Sequence, residues 1–237
     1  FTGGSKPFVI NSELMKRPSK LTDMIVGKDS HEIVILDSLG LNNPELYRFV
    51  KSLVLSGVGD ISSVLEVHPR VPGGRVGRRV LPVAHFQVNR ESLPAEAAQV
   101  EIHVRNQYEN DYTTRNVVGY IPGQTNKVIV FTAHYDMLGS FGEGNFFPGA
   151  SDNASGTTMV LDLARHFSSG KKPYYTMVFM LFSGEEAGLL GSRYLASNPL
   201  FPLEKINLLI NLDMVGTGQD GVNLFNAPNR PRETAII

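Results

Sequence analysis

Lys127-Val128-Ile129-Val130-Phe131-Thr132-Ala133-His134-Tyr135-Asp136 is the stretch that decides the fold. From Val128 to Ala133 every residue is apolar or small, so an extended chain here has no wet face, and a histidine and an aspartate follow at once. Two further runs of this texture, Tyr174 to Ser183 and Ile206 to Asp213, lie downstream. Between the first two, Ser155 to Ser169 places Val160, Leu163, Ala164 and Phe167 on one stripe of a helix. Strands buried on both faces and separated by helices predict an α/β fold with a mostly parallel sheet and flanking helices. Asp162 and His166 fall on other faces of that helix and are read as solvent-facing rather than as metal ligands.

Upstream the pattern is different. From His31 to Val104 it reads strand, helix, strand, strand, strand, opening on Ile33-Val34-Ile35-Leu36 with turn signals at Gly40 and Asn42. Asn43 is an N-cap with Pro44 behind it, Leu46, Phe49, Val50 and Leu53 form the apolar stripe, and Gly57 ends the helix. Val100, Ile102 and Val104 alternate with Glu101, His103 and Arg105, which puts His103 on the wet face of a half-buried strand. The four arginines between Arg70 and Arg79 sit among Pro and Gly without interleaved aromatics, as a solvated loop does. This is a smaller α+β domain. The polar stretch Asn106 to Arg115 separates it from the α/β layer, and the boundary is expected near Asp111, giving domains 1–110 and 111–237.

A chain of 237 residues with 22 basic and 23 acidic side chains carries no overall basic field, so nucleic acid is not an expected partner. With no cysteine there is no disulfide framework, thiolate zinc finger or cysteine nucleophile. The longest apolar run, Tyr174 to Phe182, is about half of the ~20 residues that a membrane helix needs, so no membrane span is expected. Oligomeric state is not legible. Gly149-Ala150-Ser151-Asp152-Asn153 lacks the second glycine of a nucleophile elbow, and Gly170-Lys171-Lys172 lacks the frame of a phosphate loop.

Open parallel sheets place their sites at the carboxyl ends of strands. His134 and Asp136 follow the first buried run, Glu185 and Glu186 the second, Asp213 ends the third, and Asp152 opens the intervening helix. Five carboxylates and one imidazole so converge, and like charges packed that closely repel unless a cation neutralises them. Imidazole plus carboxylate without thiolate fits zinc in an open catalytic site, with manganese and cobalt fitting less well.

Four blocks in one order carry a family resemblance: Thr132-Ala133-His134-Tyr135-Asp136, Gly149-Ala150-Ser151-Asp152-Asn153-Ala154-Ser155-Gly156, Ser183-Gly184-Glu185-Glu186-Ala187-Gly188-Leu189-Leu190-Gly191-Ser192 and Asn211-Leu212-Asp213-Met214. They resemble the co-catalytic zinc aminopeptidases of clan MH, the bacterial leucyl aminopeptidase-like peptidases among them. The resemblance implies two zinc ions. His134, Asp152 and Asp213 would hold one; Asp152 would bridge to a second that Glu186 also holds. Glu185 would be the general base, Asp136 would orient the His134 ring, and the Asp152–Asn153 peptide would be cis. The substrate would be a peptide, shortened from its amino end. Val80-Leu81-Pro82-Val83-Ala84 looks like part of a protease-associated domain, and Asn116 to Gly123 resembles the strand that enters the peptidase domain.

The family's second zinc takes a last histidine from a loop late in the domain. No histidine follows Asp213, so the chain is expected to be incomplete at its carboxyl end. A carboxypeptidase of the same clan would share every residue named. A glutaminyl cyclase would use one zinc, and its motif resembles Asp-Ser-Ala where this chain has Asp152-Asn153-Ala154. A non-catalytic receptor or scaffold of the same fold would usually lack ligands that are present here. The resemblance leans towards a secreted or periplasmic protein.

Overall fold

The computed structural model describes residues 2–5, 8–10, 32–37, 43–70, 73–77, 79–93, 100–104, 107–140, 144–218, 221, 223–229 and 231. The turn signals at Gly40 and Asn42, together with Arg78 and Arg105, lie outside the described residues. The chain divides into two compact units, Phe1–Asn110 and Asp111–Ile237. No helix among the described residues is long and apolar enough to cross a membrane.

In the first unit, β1 (Thr2–Ser5) pairs antiparallel with β6 (Val100–His103). The strands β2 (Phe8–Ile10), β3 (Ile33–Asp37), β4 (Ser63–His68) and β5 (Ala84–Asn89) form a four-stranded sheet in that order. All of its neighbours run parallel, so the sheet is of the α/β kind rather than the α+β kind that the sequence suggests. Between β3 and β4 the crossover runs through helix α1 (Pro44–Leu55) and returns the chain in the same direction. Asn43 caps α1 by accepting the Leu46 N–H at 3.0 Å, and Gly57, at φ +72°, follows its end. The helix buries Val50 and Val54 against Ile10, Val34, Leu36 and Val64. Phe49, expected on that stripe, is 60% exposed, because it lies about 100° round the helix from Val50. On the opposite face Ile33, Ile35, Leu65, Val67 and Ile102 pack together, while His103 stays exposed.

Among the described residues of this unit, one charged group is buried. Glu66, in the apolar run of β4, is 1% exposed. Its carboxylate accepts from Lys51 Nζ at 2.6 and 2.7 Å and from the Tyr47 hydroxyl, both on α1, and from Gln87 Nε2 on β5 at 3.3 Å. The Nε2 atoms of His85 and His68 lie 3.1 and 3.5 Å away. Burial by itself pushes a carboxyl up, but here the bonds from His85, Lys51, Tyr47 and Gln87 prevail and hold Glu66 well below the usual carboxylate range.

In the second unit β7 (Val117–Ile121), β8 (Val128–His134), β9 (Thr176–Phe182) and β10 (Ile206–Asn211) form a sheet in the order β10-β8-β9-β7. β8 runs parallel to both of its neighbours; β7 is antiparallel to β9. Helix α2 (Gly156–Ser169) lays Val160, Leu163, Ala164 and Phe167 on Phe131, Ala133, Met177 and Phe179, as its periodicity requires. Asp162 and His166 on its other faces are exposed, Asp162 pairing with Arg165. On the other side of the sheet Leu195, from helix α3 (Leu190–Ser197), joins Val128, Val130, Val178 and Met180. Because β10, β8 and β9 are adjacent and point the same way, their carboxyl ends open at one edge of the layer.

Candidate metal centre

His134 is the last residue of β8, and its side chain is 4% exposed. Its Nδ1 lies 3.2 Å from the main-chain oxygen of Asp136, an acceptor that orients the ring. Nε2 faces Asp152 Oδ1 at 3.0 Å and Asp213 Oδ1 at 3.6 Å. This nitrogen and the two carboxylate oxygens lie within 4.8 Å of one another, and the two carboxylates repel unless positive charge lies between them. One nitrogen and two carboxylate oxygens suit zinc and leave positions open. This donor set fits the metal that the sequence asks for.

Each candidate ligand is presented by a different device. Asp213 follows β10, whose register against β8 continues in the bond from Leu212 N–H to Thr132 O at 2.8 Å. Thr132 and Asn211 also join side chains at 2.7 Å. Asp152 stands in the irregular turn Ala150–Ser155 that precedes α2, after Gly149 at φ +67°, and the Asp152–Asn153 peptide is cis. Its side chain is 42% exposed, open to an approaching ligand.

Glu185 and Glu186 lie on the turn after β9, which passes through left-handed conformations at Gly184, Gly188 and Leu189. Both of their main-chain N–H groups donate to the Asp136 carboxylate, at 3.0 and 3.1 Å. Asp136 therefore divides its work in a way that spacing does not reveal. Its carbonyl orients the His134 ring, whereas its carboxylate, 3.7 Å from Nδ1, holds the turn that carries the two glutamates. Burial raises the carboxyls of Glu185 and Glu186 above their ordinary value. The neighbouring carboxylates add to the effect, Asp213, Asp136 and Asp152 for Glu185 and chiefly Asp152 and Glu185 for Glu186, while His134 opposes it.

Among the described residues His134, Asp152 and Asp213 form the one group of donors close enough to share an ion; the Glu186 carboxylate is not in it. A cavity of about 440 Å³ adjoins the site, with His134, Glu185 and Asp213 in its wall beside Met180, Phe182 and Leu195. Two asparagines that the sequence does not mark as functional are braces. Asn116 accepts the Ser183 N–H and donates to Gly191 O, tying the two ends of the glutamate turn, and Asn153 bonds across to the segment around Asp213. Their partners lie 59 to 75 residues away, so no local signal finds them.

The fold and the site define an open-sheet α/β protein with its chemistry at the carboxyl ends of parallel strands. Residues 116–235 match Peptidase family M28, and the chain belongs to that family. It is similar to "Aminopeptidase YwaD" of Bacillus subtilis (strain 168), 32% identical over 159 residues, covering 65% of this chain and 32% of that protein. It is also similar to "Leucine aminopeptidase 1" of Ajellomyces capsulatus (strain H88), 31% identical over 58% of this chain and 37% of that protein. "Probable leucine aminopeptidase" of Trichophyton verrucosum (strain HKI 0517) is 29% identical over 55% of this chain and 36% of its own length. The chain thus spans about a third of the length of these relatives.

Proposed function

We propose that this protein is a zinc-dependent aminopeptidase that hydrolyses the first peptide bond of a peptide substrate. The observation that carries the reading is the convergence of the His134 nitrogen with the Asp152 and Asp213 oxygens beside Glu185, a base with a raised pKa. Membership of Peptidase family M28 and the names of the similar proteins support it. His134, Asp152 and Asp213 would hold one zinc, and Asp152 with Glu186 would contribute to a second. Zinc bound there would polarise the scissile carbonyl and lower the pKa of the attacking water from about 15.7 to about 7.

Glu185 takes a proton from that water as its oxygen bonds to the carbonyl carbon, and passes the proton to the nitrogen as the carbon–nitrogen bond breaks. Asp136 keeps Glu185 in reach by gripping the main chain on which it stands. The first unit is read as protease-associated-like, and the protein as secreted or periplasmic; both rest on the resemblance of the sequence.

The test is hydrolysis of aminoacyl anilides by the full chain loaded with zinc. Activity that a chelator removes and zinc restores, and that N-acetylation of the substrate abolishes, is expected. A zinc-loaded protein that cleaves only at a free carboxyl terminus would make it a carboxypeptidase. One that cleaves neither end would make it a binding protein.

A further inference from the structure

Asp152 and Asp213 come from segments 61 residues apart, and something must set the distance between them. Asn153 adjoins Asp152 and is 2% exposed. Its Nδ2 donates to the Leu212 carbonyl at 3.0 Å, and its Oδ1 accepts the Met214 N–H at 3.3 Å, so the amide grips the peptide groups on either side of Asp213. The same Oδ1 accepts the Gly156 N–H at 3.0 Å, which anchors the amide to the start of α2. All three bonds agree on one orientation of the amide, two donors on its oxygen and one acceptor on its nitrogen. Ser155 adds a second brace: its hydroxyl accepts the Val215 N–H at 3.1 Å and donates to Ser151 O at 2.6 Å. The two segments meet so closely that a Cβ on Gly156 would stand 2.2 Å from Leu212 O.

We propose that Asn153 is a positioning residue for the metal site: its buried amide, with Ser155 as an auxiliary brace, sets the separation of the Asp152 and Asp213 carboxylates. This rests on the reading of those carboxylates as zinc ligands. The backbone groups that Asn153 satisfies belong to the residues flanking Asp213, so losing the amide frees Asp213 to relax away from Asp152. His134, held separately through Asp136, stays in place.

Zinc affinity is measured by chelator competition on the full chain carrying this sequence, together with the visible spectrum of the cobalt-loaded protein and its melting temperature. In Asn153→Ala, zinc binding weakens by ~10–100-fold while circular dichroism remains that of a folded protein, and the cobalt bands shift. Phe167→Leu, a core change at the far end of α2, lowers the melting temperature and leaves zinc affinity unaltered. If Asn153→Ala does not fold, Ser155→Ala, which frees the Val215 N–H and the Ser151 carbonyl, takes its place, with weaker zinc binding expected. Unaltered affinity in the folded variant, or equal weakening by Phe167→Leu, overturns the positioning role while leaving the metal site intact. A parent protein that binds no zinc overturns the metal reading itself, and this inference with it.

Discussion

Lys51→Met removes one partner of a buried carboxylate and keeps the length of the apolar stem. Lys51 Nζ meets both oxygens of Glu66 at 2.6 and 2.7 Å, and the two side chains are 30% and 2% exposed. Breaking a fully buried ion pair from one side costs about 3–5 kcal/mol. Here the lysine is partly wet and Glu66 keeps the Tyr47 hydroxyl, Gln87 and His85, so the expected loss at pH 7 is about 2–3 kcal/mol, nearer the value of a hydrogen bond to a charged group. The pH dependence has a definite sign. Glu66 is held below the ordinary carboxylate range in the folded protein and titrates near 4.3 when unfolded, so its bonds contribute fully above about pH 5. That contribution fades as the pH falls below about 4 towards the depressed folded value. His85 and His68 face the same carboxylate in parent and variant alike. The opening free energy of β4 and β5 amides, from hydrogen exchange of parent and variant between pH 4 and 7, reads the difference. A gap below about 0.5 kcal/mol at pH 7, the size of an exposed pair, or one that widens in acid, would refute the reasoning.

Glu185→Gln should leave zinc content nearly unchanged and lower kcat by ~10²–10⁴-fold, the usual contribution of a positioned base, whereas Glu186→Gln should lower zinc content; metal analysis beside kinetics tells them apart. Asp136→Ala releases the N–H groups of Glu185 and Glu186 and the turn they stand on, so activity should fall ~10–100-fold, and unchanged kinetics would count against the grip of its carboxylate. Gly156→Ala forces a methyl to 2.2 Å from Leu212 O, and a protein of unaltered melting temperature and zinc affinity would contradict the close approach of the two segments; a loss of about 1–3 kcal/mol is expected.

The second unit was legible because its evidence is local. A strand covered on both faces has to be apolar throughout, and β8 and β9 lie where Lys127 to Ala133 and Tyr174 to Ser183 predict them, within about two residues at each end. β10 lies where Ile206 to Asp213 predicts it, but it ends the described sheet and only alternate residues are half-buried, with Leu209 51% exposed, so it lacks the expected cover on both faces. The stripe of α2 follows from the 3.6-residue period in the same way. In α1 the period was right and the edge of the stripe was not: Phe49 turned to solvent, because how wide a face the sheet covers depends on the sheet.

The order of elements, the apolar texture of the strands and the position of charged residues just past them are properties of the chain alone, and they single out His134, Asp152, Glu185 and Asp213. Contacts between distant segments are not. That Asp136 gives its carboxylate to the Glu185–Glu186 turn, that Asn153 grips both sides of Asp213, and that Glu66 lies buried among partners from α1 and β5 were decided only by tertiary packing. A hydrogen bond between residues 15 to 61 positions apart leaves no periodicity to read. It exists because the folded sheet brings those backbone and side-chain groups to one place, out of water, where each must find a partner.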